Sequence, residues 1–121
     1  MLDRLRNQAF QALAATSHCT LSTLGPAGLC ASNVALAVAG DHLYVLIPST
    51  SDHLFNLEQE SVVALTAETW ELTSQAAQIA ASTSPFTPQQ TAWAVAFQIT
   101  PQRMHLPPDD EEHTHRTIDF G

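Results

Sequence analysis

The sequence predicts a mainly β protein: a six-stranded antiparallel barrel, closed or split, with an N-terminal helix and a short crossing helix. After residue 18 the hydrophobic period changes from that of a helix to that of a strand. Several of the alternating segments are joined by turns of two to four residues, which connect antiparallel neighbours. The 121 residues suffice for one domain. We assign residues 1–106 to the barrel and 107–121 to an acidic C-terminal tail.

Two helices are expected. Residues 2–15 form an amphipathic helix whose apolar face has five members. These are Leu2, Leu5, Ala9, Phe10 and Leu13. A short helix over residues 52–59 follows Ser51 as its N-cap, with Asp52 near its positive end. Residues 80–90 are rich in Ser, Thr, Pro and Gln and are expected to form a loop that can contain one helical turn.

Alternating apolar residues and the turn residues between them predict the six strands. They cover residues 19–24, 29–39, 42–47, 62–67, 70–79 and 91–100. Pro101 is expected to end the last of these, while residues 103–106 extend the sheet at its edge. One face of the second strand carries small residues, which allows close approach to that face. Its members are Ala31, Asn33, Ala35 and Ala37.

The two cysteines are predicted to remain free. A hairpin turn at residues 25–28 pairs residues whose numbers sum to about 53, so that Thr23 faces Cys30. Cys19 then lies four residues along the strand, about 13 Å away at ~3.4 Å per residue. This separation is too large for a disulfide, and we interpret both cysteines as buried thiols.

The charge balance excludes several classes of partner. The chain has 12 acidic residues, four arginines and no lysine, for a net charge of -8. This charge disfavours binding to nucleic acid or to anionic lipid. No apolar run approaches the ~20 residues of a membrane helix, and the N-terminus lacks a secretory pattern. We therefore expect a cytoplasmic protein with a small-molecule ligand and no membrane or nucleic-acid partner.

Five short motifs resemble, in their order, the pyridoxamine 5'-phosphate oxidase-like, FMN-binding split-barrel family. They are CTLSTLGPAG (19–28), SNVAL (32–36), GDHLYVL (40–46), SDHLFNL (51–57) and VVAL (62–65). The family's helix motif is serine-x-lysine-x-x-asparagine-leucine, and Ser51, Asn56 and Leu57 match it here. Over residues 2–106, the resemblance implies a split β-barrel that binds FMN at the interface of a homodimer.

The resemblance also implies a set of cofactor-binding residues. Ser49, Thr50 and Ser51 match the hydroxyls that hold the phosphate, and residues 32–34 match the segment that lines the flavin ring. The full set is Ser32, Asn33, Val34, Ser49, Thr50, Ser51 and His53. His53 stands where the family has its lysine; it would supply a partial charge if a phosphate raised its pKa. The alternative is an exposed helix residue without a ligand.

The missing lysine is the main departure from the family. No arginine lies between Arg6 and Arg103. Loss of one charge-assisted contact weakens binding about ten- to a hundredfold. Arg103 or Arg116 of a second copy could replace the lysine. The scarcity of cations argues against a true pyridoxamine phosphate oxidase.

The first functional hypothesis is a homodimeric FMN-binding protein with the capacity of an oxidoreductase. No nucleophile–base pair or paired carboxylates emerge, so the catalytic residues stay unassigned. A non-catalytic split-barrel dimer that has lost flavin is the first alternative, and a haem-binding relative is the second.

Other residues have two interpretations each. Trp70 and Trp93 either stack on a ligand ring or pack in the core or a subunit interface. His113 and His115, with His105, could bind a metal, but we favour a solvated acidic terminus and assign no metal site. Ile118 and Phe120 are expected to fix the end of the tail to a subunit surface.

Overall fold

Six consecutive strands close into an antiparallel barrel in the computed structural model, which describes residues 2–106 and 116–120. They are β1 (His18–Gly25), β2 (Gly28–Ala39), β3 (His42–Pro48), β4 (Val62–Ala67), β5 (Trp70–Gln78) and β6 (Ala94–Leu106). Their order is β3-β2-β1-β4-β5-β6, and the pairing of β3 with β6 closes the barrel. The predicted mainly β, six-stranded antiparallel barrel is confirmed.

Both expected helices are present. Helix α1 (Leu2–Ala14) buries Ala9 and Leu13, and helix α2 (His53–Gln59) contacts β1. The predicted loop contains a 3-10 turn (Ala81–Thr83) and a four-residue helix α3 (Pro88–Thr91), which Thr87 caps. Within the described residues, no helix has the length and apolar character needed to cross a bilayer.

The hairpin register agrees with the arithmetic from the sequence. Gly25 faces Gly28, and Thr23 faces Cys30. Both cysteines are free, as predicted. Cys19 is buried, and burial raises the pKa of its thiol to about 11, which keeps it protonated and unreactive. Cys30 is only half-buried, so the expectation of a buried thiol is wrong for that residue.

Strand β6 continues through Pro101, contrary to the prediction that this residue ends it. On β5, Thr73 pairs with Arg103, whereas Ser74 pairs with Pro101. One residue of β6, Gln102, is therefore accommodated in a bulge. Proline lacks an amide hydrogen and is tolerated in strands at such irregularities. The bulge explains why one long strand replaces the two shorter segments.

A seventh strand, β7 (Arg116–Asp119), pairs with the end of β6. It belongs to the segment that the sequence analysis assigned to the acidic tail. Ile118 is buried, and the ring of Phe120 meets that of Phe10 edge-on at 6.3 Å. These two residues thus pack on the chain's own barrel and on α1. His113 and His115 lie outside the described residues.

Ile118→Ala is expected to lower the free energy of unfolding by about 2–4 kcal/mol, because it leaves a cavity under β7. Thr117, its exposed neighbour on the same strand, provides the control. Thr117→Ala is expected to change the free energy by no more than ~0.5 kcal/mol. Chemical denaturation measures both; equal effects would mean that β7 does not anchor the C-terminal end.

Candidate functional site

Helix α2 turns two polar side chains toward the β1–β2 hairpin. His53 and Asn56 are three residues apart and therefore share one face of the helix. Their exposed fractions are 2% and 0%. Phe55, on a different face, is 60% exposed. The polar face of this short helix is thus its buried face, and its buried groups must find partners on the hairpin.

Asn56 binds the hairpin turn through three hydrogen bonds. Its Oδ1 accepts from the amide of Ala27 at 2.9 Å, while its Nδ2 donates to the carbonyl of Gly28 at 2.9 Å and to Thr23 Oγ1 at 3.0 Å. The helix lies so close that a Cβ on Gly25 would meet Asn56 Cα at 2.9 Å. Glycine is therefore required at position 25 for this close approach.

His53 lies between hydroxyls of two adjacent strands. Its Nδ1 is 2.7 Å from Thr23 Oγ1 on β1, and its Nε2 is 2.7 Å from Ser32 Oγ on β2. The alternative interpretation of His53 as an exposed helix residue is wrong, because packing of α2 on the hairpin buries its side chain. Burial lowers the pKa of His53, and the nearby Asp52 only partly offsets this effect. The imidazole is therefore uncharged at pH 7.

The three residues of β2 that were predicted to line the flavin ring have different surroundings. Ser32 faces α2, whereas Val34 is buried in the barrel core. Asn33, on the other face, lines an open groove of about 740 Å³ together with His18 and Thr66. Alternation along a strand places Asn33 on the face opposite to that of Ser32 and Val34. On this second face, α2 meets Ser32, whereas the barrel core surrounds Val34. Only Ser32 of these three residues joins His53.

The predicted phosphate hydroxyls lie where β3 leads into α2. Ser51 Oγ accepts from the amide of His53 at 3.2 Å. Ser49 and Thr50 are exposed, and the amide of Ser49 donates to the carbonyl of Trp93 at 2.9 Å. The structure thus brings Ser51, His53 and Ser32 together, with the exposed hydroxyls one and two residues before Ser51.

The two tryptophans have different surroundings. Trp70 is buried, and its Nε1 donates to Thr16 Oγ1 at 3.2 Å, so its interpretation as a ring platform is wrong. Trp93 is 82% exposed and adjoins Ser49 through the backbone hydrogen bond. Its side chain is therefore accessible, and its backbone adjoins the segment of Ser49, Thr50 and Ser51.

Positive charge is scarce around these hydroxyls. Arg4 and Arg6 belong to α1, and Arg103 on β6 pairs with Asp119 of its own chain at 3.6 Å. In residues 2–106 and 116–120, no three His, Cys, Asp or Glu side chains converge as metal ligands. The exposed His105 instead contacts Thr117 Oγ1 at 3.1 Å. Among the described residues, the site is consequently a cluster of polar groups that lacks a cation and has the carboxylate of Asp52 beside His53.

Sequence reasoning missed the role of Thr23. The hairpin register placed it opposite Cys30, but no pattern showed that α2 would cross above it. Asn56 was recognised as a motif residue without a function. One signal could have been used for Asn56: His53 and Asn56 form a polar pair three residues apart, and therefore share one face of a short helix.

Comparisons with known proteins identify the fold. The sequence matches no family model and no curated protein. A Clostridium acetobutylicum protein related to general stress protein 26 of B. subtilis, of the pyridoxinephosphate oxidase family, is similar in structure, with a TM-score of 0.73 and 8% identity. The match covers 97% of this chain and 95% of that chain.

Two further solved structures are similar. A FAD-binding protein from Mesorhizobium loti gives a TM-score of 0.59 at 12% identity, over 81% of this chain and 88% of that chain. A haem-binding protein from Mycobacterium smegmatis gives 0.65 at 16% identity, over 94% of this chain and 57% of that chain. Despite the low identity, the chain therefore has the split β-barrel fold that pyridoxamine phosphate oxidase-family, flavin-binding and haem-binding proteins share.

Proposed function

We propose that this chain is an FMN-binding protein that acts as a homodimer and serves as an oxidoreductase. The observation that carries the proposal is the cluster of hydroxyls around His53, in a fold shared with a flavin-binding protein. Ser32, Ser51 and the exposed hydroxyls of Ser49 and Thr50 would hold the cofactor. Bound FMN would supply the redox chemistry, and the chain would bind and orient it.

The hydrogen-bonding groups at the site suit a flavin nucleotide, whereas the lack of a cation does not suit its phosphate. Hydroxyl groups can donate to phosphate and carbonyl oxygens, and the exposed face of Trp93 can stack on a ring. The uncharged His53 does not replace the family lysine as a cation. We therefore expect the affinity for FMN to be about ten- to a hundredfold lower than with a charge-assisted phosphate contact.

An uncharged part of the outer face of the sheet, on β1, β2 and β4, supports the homodimer. Leu24 on β1 faces Leu29 on β2, and the register in which Ser22 faces Ala64 places Val62 beside Leu24. These three apolar residues are exposed. The rows that follow on this face are small or uncharged polar residues: Ser22, Ala31, Ala64, Thr20, Asn33 and Thr66. Depletion of charge is typical of interface cores, so we propose that two copies pack through this face.

A flavin-free dimer is the second candidate, and the uncharged state of His53 favours it. In that case the hydroxyl cluster would serve only to hold α2 on the hairpin. For haem binding we assign no ligand among the described residues; His18, His42 and His105 are exposed, and each contacts a neighbouring polar side chain. Titration with FMN separates the first two candidates: saturable quenching of flavin fluorescence at micromolar concentrations supports the first, and its absence supports the second.

His53→Lys is expected to tighten FMN binding about ten- to a hundredfold, because it restores a cation beside the hydroxyls. Gln59→Lys adds the same charge at the far end of α2 and should leave the affinity nearly unchanged. Riboflavin, which lacks the phosphate, should gain no affinity from the added charge in either variant. Fluorescence titration measures all three proteins. An unchanged FMN affinity in His53→Lys would place the phosphate elsewhere.

Leu29→Glu is expected to convert the dimer to a monomer, because it places a charge in the apolar row of the proposed interface. Phe55→Glu makes the same change at an exposed apolar residue on α2, outside that face, and should leave the dimer intact. Sedimentation equilibrium gives the mass of each protein. A monomeric wild type, or dissociation by both variants alike, would contradict the assignment of this face.

His53→Gln is expected to flatten the pH dependence of stability. Because the pKa of His53 is lowered from 6.5 in the folded chain, the unfolded chain binds the proton first as the pH falls. Wild-type stability should thus be highest above pH 6.5 and decline from there down to the folded-state pKa. Urea denaturation at several pH values measures the slope; equal slopes in both proteins would show that His53 is not buried in the neutral form.

A further inference from the structure

We propose that Thr23 and His53 are positioning residues that fix the Ser32 hydroxyl as a hydrogen-bond donor toward an acceptor oxygen of the bound ligand. The proposal rests on the flavin site proposed above, and it adds the direction in which the protons of that site point. It follows from the donors and acceptors along one chain of hydrogen bonds, from Asn56 through Thr23 and His53 to Ser32.

Asn56 sets the donor-to-acceptor direction of this chain of hydrogen bonds. The amide of Ala27 can only donate, so the atom that it meets is the side-chain oxygen of Asn56. The carbonyl of Gly28 can only accept, so the atom that it meets is the nitrogen. The Asn56 nitrogen therefore also donates to Thr23 Oγ1.

Thr23 transmits the direction to the imidazole. Its side chain is buried, and its hydroxyl has one proton to donate. Within the described residues, the hydroxyl has two side-chain partners, Asn56 and His53. Because Asn56 is the donor to it, the hydroxyl proton goes to His53 Nδ1. The neutral imidazole then carries its own proton on Nε2 and donates to Ser32 Oγ.

Ser32 is the outer end of this chain of hydrogen bonds. Since its oxygen accepts from His53, its own proton points away from the imidazole, and the residue is exposed. Ser51 Oγ likewise accepts from the His53 amide and keeps its proton for another partner. Two neutral donors thus flank His53. They fit a carbonyl or phosphoryl oxygen of a flavin nucleotide and discriminate against a ligand group that can only donate.

The opposite direction would have a different chemical meaning. If His53 carried its proton on Nδ1, Nε2 would accept from Ser32, and the pair would be a nucleophile and its base with Thr23 as the orienting group. Thr23 would then accept twice, and its own proton would be buried without an acceptor among the described residues. The hydrogen-bond count therefore favours the donor role of Ser32 over the nucleophile.

Long-range ¹H–¹⁵N NMR on the labelled full-length protein tests the direction without any ligand, with His53→Gln to assign the signal. We expect Nδ1 to show the shift of an unprotonated ring nitrogen and Nε2 that of a protonated one. Thr23→Val should abolish this preference, and Thr23→Ser should restore it. Protonation at Nδ1 in the wild type would overturn the proposal.

Binding of FMN tests the consequence for the ligand. Ser32→Ala and Thr23→Val are each expected to weaken FMN binding about five- to tenfold, and the double variant no further. Thr23→Ser, which keeps the hydroxyl, should bind like the wild type, and circular dichroism checks that each variant is folded. Additive losses would overturn the coupling. Absence of FMN binding by the wild type would contradict the proposed function, whereas the nitrogen shifts would still decide the direction of the chain.

Discussion

The three hydrogen bonds of Asn56 hold helix α2 against the first hairpin, and the site depends on that contact. A buried amide that lost these partners would cost about 1–3 kcal/mol for each unsatisfied group. The contact also brings the helix within 2.9 Å of where a Cβ on Gly25 would be, so the turn and the helix constrain each other. With α2 fixed in this way, His53 reaches both neighbouring strands.

The same packing explains why the imidazole is uncharged. A lysine at this position of the family motif has a flexible stem that can carry its charge outward to solvent or ligand. The ring of His53 is shorter and lies between Thr23 and Ser32, where burial disfavours its protonated form. The proposed hydrogen-bond relay from Asn56 to Ser32 would take the place of a point charge. Recognition of a ligand would then depend on the direction of these donors more than on electrostatic attraction.

Much of the fold could be predicted from local patterns, because hairpins have short turns and a fixed register. The pairing of Thr23 with Cys30 followed from one glycine turn. What failed required long-range information: the bulge that carries β6 through Pro101 is set by β5, and β7 pairs only after the chain returns to β6. At the site, alternation within β2 turned Asn33 away from Ser32 and Val34, and Val34 is buried in the core while Ser32 meets His53, although the family resemblance had grouped all three.

The candidate site and the composition of the whole chain are both poor in the positive charge that attracts a phosphate. A protein with a net charge of -8 and no lysine repels a phosphate dianion at long range, and the neutral groups around His53 do not compensate at short range. The binding energy for a nucleotide at the proposed site would then have to come from hydrogen bonds to hydroxyls, stacking and burial between the proposed subunits. Each of these contributions requires close and directed contact, which the rigid hairpin, its fixed helix and a second copy of the chain would together provide.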